Sequence, residues 1–274
     1  MCIPHMVPVI IKVMRPYQWY KNLVLFAGLI FAGNLFVLPL LVTASAAFII
    51  FCILSGAGYI INDIIDVKAD SNDPVKSKRP LASGEIAVFS ALALSSALFV
   101  VGNCAAFFLA WEFGICAVVY SLITVLYSLV LKKVILIDVI TISTGFVVRA
   151  VAGAVVIDVD ISPWLILCAS MLALFLALCK RKQDISPLYN PHVLDHLLSI
   201  TTTLVIMSYS LYTFLRATQV MMVTIPLVLY GLFRFLTLSY EQNHSTQMEM
   251  FFTDRGLLAT FIVWVLLVVV LIYT

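Results

Sequence analysis

Apolar stretches about as long as a bilayer is thick recur along the whole chain, separated by short polar breaks. They run over residues 23–42, 44–65, 86–109, 113–131, 134–156, 163–180, 196–217, 219–239 and 255–273. About 20 apolar residues in helical conformation cross a hydrocarbon core of about 30 Å. The pattern therefore predicts an all-α polytopic membrane protein with nine transmembrane helices. The first stretch is the least regular, because Gly28, Gly33, Asn34 and Pro39 interrupt it. No segment between stretches is long enough to fold alone, which predicts a single transmembrane domain over residues 1–274.

Charge refines the picture by its scarcity and its placement. Charged residues make up 11% of the chain, where a soluble domain carries about 25%. The net charge of +2 is too small to argue for a nucleic-acid partner. With nine spans, Lys12, Arg15, Lys21, Lys68, Lys76, Lys78, Arg79, Lys132, Lys133, Lys180, Arg181, Lys182 and Arg255 fall on one side. The other side receives Arg216 with the acids Glu112, Asp158 and Asp160. The positive-inside rule then places the N-terminus in the cytoplasm and the C-terminus outside, in a cytoplasmic membrane.

One polar stretch stands against this background, Asn62-Asp63-Ile64-Ile65-Asp66-Val67-Lys68-Ala69-Asp70. Asp63, Asp66 and Asp70 are spaced i, i+3 and i+7, which puts them within about 60° of one another on a helix. Three carboxylates ending a long apolar helix suggest a divalent cation. The loop that follows carries Lys76, Lys78 and Arg79, and Pro74 and Pro80 prevent a regular helix there. Hard oxygen ligands hold Mg²⁺, which keeps substrate phosphates in its shell, and Lys and Arg bind the remaining phosphate oxygens. The stretch therefore predicts a Mg²⁺–phosphate site with Asp63, Asp66 and Asp70 as metal ligands. Arg15, Lys21 and Asn22 precede the first apolar stretch, Tyr127 and Lys132 end the fourth, and Asp138 begins the fifth. Arg149 lies deeper in the fifth, where a cation requires an anion, a carboxylate or a water-filled cavity.

These motifs together resemble the UbiA superfamily of intramembrane prenyltransferases. Asn62–Asp70 has its N-D-x-x-D-x-x-x-D pattern. The likeness extends to Arg15-Pro16-Tyr17-Gln18-Trp19-Tyr20-Lys21-Asn22, Lys78–Gly84, Tyr127-Ser128 with Lys132, Arg149–Ala154 and Lys180-Arg181. Aromatic prenyltransferases of the superfamily carry a second acidic motif after the sixth helix. Here that place holds Lys180-Arg181-Lys182-Gln183-Asp184, which is similar to a phosphoribosyltransferase branch. The resemblance implies transfer of 5-phosphoribosyl from phosphoribosyl pyrophosphate to a polyprenyl phosphate. It implies Asp63, Asp66, Asp70 and Asp184 as catalytic carboxylates. It further implies Arg15, Lys21, Asn22, Asn62, Lys78, Arg79, Tyr127, Lys132, Arg149, Lys180 and Arg181 as substrate contacts. Prenyl transfer from a prenyl diphosphate to an aromatic or glycerol-phosphate acceptor stays open. A channel or transporter is a third reading, less favoured because its acids belong at mid-membrane.

Overall fold

All regular structure is helical in the computed structural model, which describes residues 9–160, 162–184, 188–215, 219–241 and 247–273. Arg216 lies outside the described residues. A 3₁₀ segment, Pro16–Leu25, leads into α1 (Phe26–Phe31) and α2 (Leu38–Asp70). Then follow α3 (Val88–Leu109), α4 (Trp111–Leu129), α5 (Ile137–Val155), α6 (Pro163–Gln183), α7 (Pro191–Leu215), α8 (Ile225–Glu241), α9 (Gln247–Thr253) and α10 (Arg255–Tyr273). Seven described helices are long and apolar enough to cross a membrane: α2 to α5, α7, α10, and α8 taken with the 3₁₀ turn Gln219–Thr224 before it. The expected span at 163–180 is helical too, as part of α6.

The expected first span, 23–42, is not one helix. The chain stops at Phe31, turns through Gly33 at φ +74°, and restarts at Leu38 with Pro39 in the first helical turn. Proline there costs nothing, because its missing N–H would have no partner in the helix. The expected second span gains the residues that the first loses. α2 has 33 residues and rises about 50 Å, some 20 Å more than a bilayer core. Its apolar run is by itself long enough to cross such a core, and its last turns carry Asn62–Asp70.

The described residues fall into two compact units, one of residues 1–141 and 145–161, the other of 142–144 and 162–274. The core of the first gathers Leu25, Leu29, Ala47, Phe51, Leu54, Phe113, Ala117 and Tyr120 around α2. Phe51 packs on Phe113 and Tyr120 at ring separations of 5.5 and 5.1 Å. A smaller cluster of Val13, Ile60, Leu81 and Ala91 pins the segments flanking the acidic stretch. In the second unit, Trp264 donates to the Tyr209 hydroxyl at 2.9 Å and Phe175 meets Phe235 at 5.9 Å. There Arg234 of α8 donates to Asp254, which also accepts from the backbone N–H of Leu257 and so caps α10.

Candidate active site

The helical repeat of α2 divides its acids into two pairs of positions. Asp63 and Asp70, seven residues apart, differ by about 20° around the helix, whereas Asn62 and Asp66 are one turn apart on an adjacent strip. Each strip meets its own cations. Arg15 Nε donates to Asp63 Oδ2 at 3.2 Å and a second Arg15 nitrogen contacts Oδ1, a bidentate pair. Arg79 Nη1 donates to Asp63 Oδ1 at 3.3 Å and to Asp70 Oδ2 at 2.5 Å. Lys132 donates to Asn62 Oδ1 at 3.1 Å and Asp66 Oδ1 at 2.5 Å, while Asn62 Nδ2 donates to Asp66 Oδ2 at 3.0 Å. Asp63 and Asp70 are buried, and Asn62 and Asp66 half-buried.

Local backbone brings these cations in. Arg15 has φ 51° and ψ 64° at the head of the 3₁₀ segment, a left-handed conformation that costs a non-glycine residue about 1–2 kcal/mol. Its two-point grip on Asp63 offsets that cost. Arg79 precedes Pro80 and Leu81, both buried, and Leu81 packs on Ile60 of α2. Lys132 sits in the 3₁₀ turn Leu131–Lys133 between α4 and α5.

A second polar centre lies on the same unit. Arg149 of α5 is 6% exposed. Its Nε donates to Asn22 Oδ1 at 2.7 Å, Nη1 to the Gly145 carbonyl at 3.0 Å and Nη2 to the Tyr120 hydroxyl at 2.6 Å. The guanidinium carbon is 4.5 Å from the Tyr120 ring centre and 5.3 Å from that of Phe146. Asn22, fully buried, donates in turn to Ser55 Oγ of α2 at 3.1 Å. Gly153 makes this possible. A Cβ there would stand 2.0 Å from the Leu25 carbonyl oxygen, so only glycine lets the 3₁₀ segment lie against α5 and bring Asn22 to Arg149. Ser55, Tyr59, Asp63, Asp66 and Asp70 follow one another at three- to four-residue intervals along α2, a polar stripe.

The site thus brings together Arg15, Asn62, Asp63, Asp66, Asp70, Arg79 and Lys132, with Asn22 and Arg149 joined beside Ser55. Lys21 stands 6.0 Å from the Tyr20 ring centre. Lys78 is exposed and makes no ion pair among the described residues. Tyr127 is half-buried on α4 and Asp138 is fully buried at the start of α5. Lys180, Arg181 and Asp184 lie at the end of α6, in the second unit, where Lys180 and Asp184 are exposed. Lys182 is held there by Asp195 of α7 at 2.6 Å, and Asp195 also accepts from the Tyr240 hydroxyl at 2.6 Å. Sequence reasoning passed over Tyr120 and Tyr59, whose ring centre lies 5.5 Å from the Arg15 guanidinium carbon.

The donor set tests the expected metal. Asp63, Asp66 and Asp70 offer carboxylate oxygens and Asn62 an amide oxygen, the hard ligands that Mg²⁺ takes. Among the described residues no three carboxylate, histidine or cysteine groups converge on one point, because guanidinium and ammonium groups stand between the acids. Each of the three acids is paired with an arginine or a lysine instead. The donor atoms are of the kind a hard divalent ion takes, and in this structure each acid is held by a cation.

A model of the UbiA prenyltransferase family matches residues 22–258. Decaprenyl-phosphate phosphoribosyltransferase of Mycolicibacterium smegmatis is 31% identical over 224 residues, covering 76% of this chain and 70% of that protein. The enzyme of the same name from Corynebacterium glutamicum is 32% identical over 221 residues, covering 74% of this chain and 67% of that protein. Among solved structures, a UbiA homolog from Archaeoglobus fulgidus bound to GPP and Mg²⁺ superposes with a TM-score of 0.75 at 18% identity, covering 97% of this chain and 99% of that one. The acidic stretch, the membrane-spanning helices and these matches agree: the chain belongs to the UbiA prenyltransferase family of multi-pass membrane transferases.

Proposed function

We propose that the protein transfers a 5-phosphoribosyl group from phosphoribosyl pyrophosphate to a polyprenyl phosphate of decaprenyl type, releasing pyrophosphate. The observation that carries this reading is the 30–32% identity, over 74–82% of the chain, to enzymes named decaprenyl-phosphate phosphoribosyltransferase. The cation-rich surroundings of the acidic stripe support it, since two phosphorylated substrates bring more negative charge than one. Asp63, Asp66 and Asp70 would hold Mg²⁺, with Asn62 beside them. When bound, the ion supplies positive charge against the leaving pyrophosphate. Arg15, Arg79 and Lys132 bind phosphate oxygens and fix the donor's orientation. The lipid phosphate oxygen bonds to ribose C1 as the bond from C1 to pyrophosphate breaks, and the electron pair leaves with pyrophosphate. A phosphate monoester is already anionic at neutral pH, so the reaction needs no strong base. Positioning and fixed charge carry the catalysis.

In this reading the basic loops face the cytoplasm by the positive-inside rule. The second reading, prenyl transfer from a prenyl diphosphate, draws on a digeranylgeranylglyceryl phosphate synthase of Saccharolobus solfataricus. That protein is 31% identical over 158 residues, 56% of this chain. Purified protein given Mg²⁺, labelled phosphoribosyl pyrophosphate and decaprenyl phosphate should move label into the lipid phase. Transfer from geranylgeranyl diphosphate alone, with none from phosphoribosyl pyrophosphate, would establish the second reading instead.

A further inference from the structure

Arg149 is buried, and every hydrogen-bond partner it has is neutral: the Asn22 amide oxygen, the Gly145 carbonyl and the Tyr120 hydroxyl. No carboxylate among the described residues pairs with it. A guanidinium carries five N–H donors, so these bonds leave some of them unused. A cation in an apolar helix calls for an anion. On α2, the Tyr59 hydroxyl makes no hydrogen bond among the described residues. Nor is it sealed off, since Asn103 Oδ1 is the one enclosed side-chain oxygen or nitrogen among them that lacks a partner. The Tyr59 ring lies against Arg15, which grips Asp63. Its hydroxyl is within electrostatic reach of both Arg15 and Arg149.

These groups follow one another along α2. Tyr59 lies about 6 Å along the helix axis from Asp63, and Ser55 about 12 Å from it. Asn22 joins Ser55 to the uncompensated Arg149. A molecule with a pyrophosphate at one end, a hydroxylated ring in the middle and an anion at the other end fits this order. We infer that Tyr59 and Arg149 form the subsite for the ribose 5-phosphate portion of the donor, Tyr59 hydrogen-bonding a sugar hydroxyl and Arg149 meeting the 5-phosphate. This rests on the phosphoribosyl reading and names the residues that would select that donor. An isoprenyl chain in the same place would leave a hydroxyl and a buried cation facing hydrocarbon, which is costly. A site built to hydrogen-bond its substrate rejects the analogue that lacks the matching group. The bonds from Arg149 to Asn22 and Tyr120 persist, because the phosphate takes N–H groups that they do not use.

The test is equilibrium dialysis of the detergent-purified chain, with Mg²⁺ present, against labelled phosphoribosyl pyrophosphate and against labelled inorganic pyrophosphate. Tyr59→Phe keeps the ring on Arg15. It should weaken phosphoribosyl pyrophosphate by about fivefold or more, the scale of one hydrogen bond, and leave the affinity for pyrophosphate where it was. Arg149→Lys keeps a cation and Arg149→Gln does not. In folded protein the second should lose about tenfold more affinity for phosphoribosyl pyrophosphate than the first, the scale of a charged contact to phosphate. Initial rates separate the donor's 5-phosphate from the phosphate of the acceptor. Tyr59→Phe should raise KM for phosphoribosyl pyrophosphate and not for decaprenyl phosphate, and the opposite pattern would assign the subsite to the acceptor and overturn the inference. So would a Tyr59→Phe chain that binds phosphoribosyl pyrophosphate as the wild type does, or that weakens both dialysis probes equally. A wild type that binds pyrophosphate but not phosphoribosyl pyrophosphate, and transfers from geranylgeranyl diphosphate, would remove the donor reading and the inference with it.

Discussion

Arg79 donates to Asp63 and to Asp70 from one nitrogen, tying together two carboxylates that lie seven residues apart on α2. The helix repeat aligns these acids within about 20°, and the loop Ser71–Ile86 returns a cation onto them. Asp66, on the neighbouring strip, is left to Lys132. The acidic stretch is therefore two ion-paired strips rather than one open cluster.

This division predicts different consequences for its members. Asp63→Asn strips the negative charge from the acid that faces both arginines, and Asp66→Asn does the same opposite Lys132. Both should lower transfer by at least about 100-fold, the scale of losing one electrostatic contact to developing charge. Both should still purify as folded protein. Initial rates of lipid labelling, set beside the melting temperature, check the expectation.

The Arg149 centre should behave as a brace. Tyr120→Phe removes one hydrogen bond from a buried guanidinium and leaves its ring, and should cost about 1–3 kcal/mol. Arg149→Met removes the guanidinium but keeps an unbranched apolar stem. It leaves Asn22 Oδ1 and the Tyr120 hydroxyl without their partner, so it should cost a similar amount and displace the 3₁₀ segment. Denaturation in mixed micelles and protease sensitivity near Asn22 would read both effects. An Arg149→Met chain as stable as the wild type would contradict the bracing role.

Gly153 gives a steric prediction. Gly153→Ala drives a methyl group into the Leu25 carbonyl, a backbone atom that cannot rotate away. The change should cost at least about 1–3 kcal/mol, the usual range for overpacking. Gly145→Ala is the control, since its Cβ would meet only an Arg149 nitrogen at 3.5 Å. Paired melting curves for the two variants make the comparison.

Acid should loosen the end of the second unit through Asp254. Hydrogen bonds from Arg234 hold this carboxyl below the usual carboxylate range, with the Leu257 N–H adding to the effect. Its pKa is lower folded than unfolded, so its contribution is present above about pH 4 and is lost as pH falls through the folded value. Hydrogen exchange at the start of α10 should rise over that interval in the wild type. In Asp254→Asn the rise should be absent, with exchange already fast at neutral pH.

Much of this was legible in the residues because it needed only local pattern. Apolar length marked the spans, and the i, i+3, i+7 spacing marked a functional face on α2. The break at Gly33 was visible as irregularity, but which helix would own Leu38–Val42 depended on a left-handed turn that no hydropathy pattern encodes. The pairing of Arg15, Arg79 and Lys132 with particular acids depended on where three separate loops return. Tyr120 gave no signal, since one tyrosine in an apolar helix has many packing roles and only tertiary structure put Arg149 against it. Its place three residues after Ala117 on the buried face of α4 was the single hint.

The most direct measurement is pyrophosphate release counted against lipid-linked label in one reaction of Mg²⁺, labelled phosphoribosyl pyrophosphate and decaprenyl phosphate. The account predicts that the two products appear one for one, that both require the lipid phosphate, and that both vanish in Asp66→Asn. Pyrophosphate released at the same rate without the lipid, or labelled lipid formed undiminished by Asp66→Asn, would contradict it.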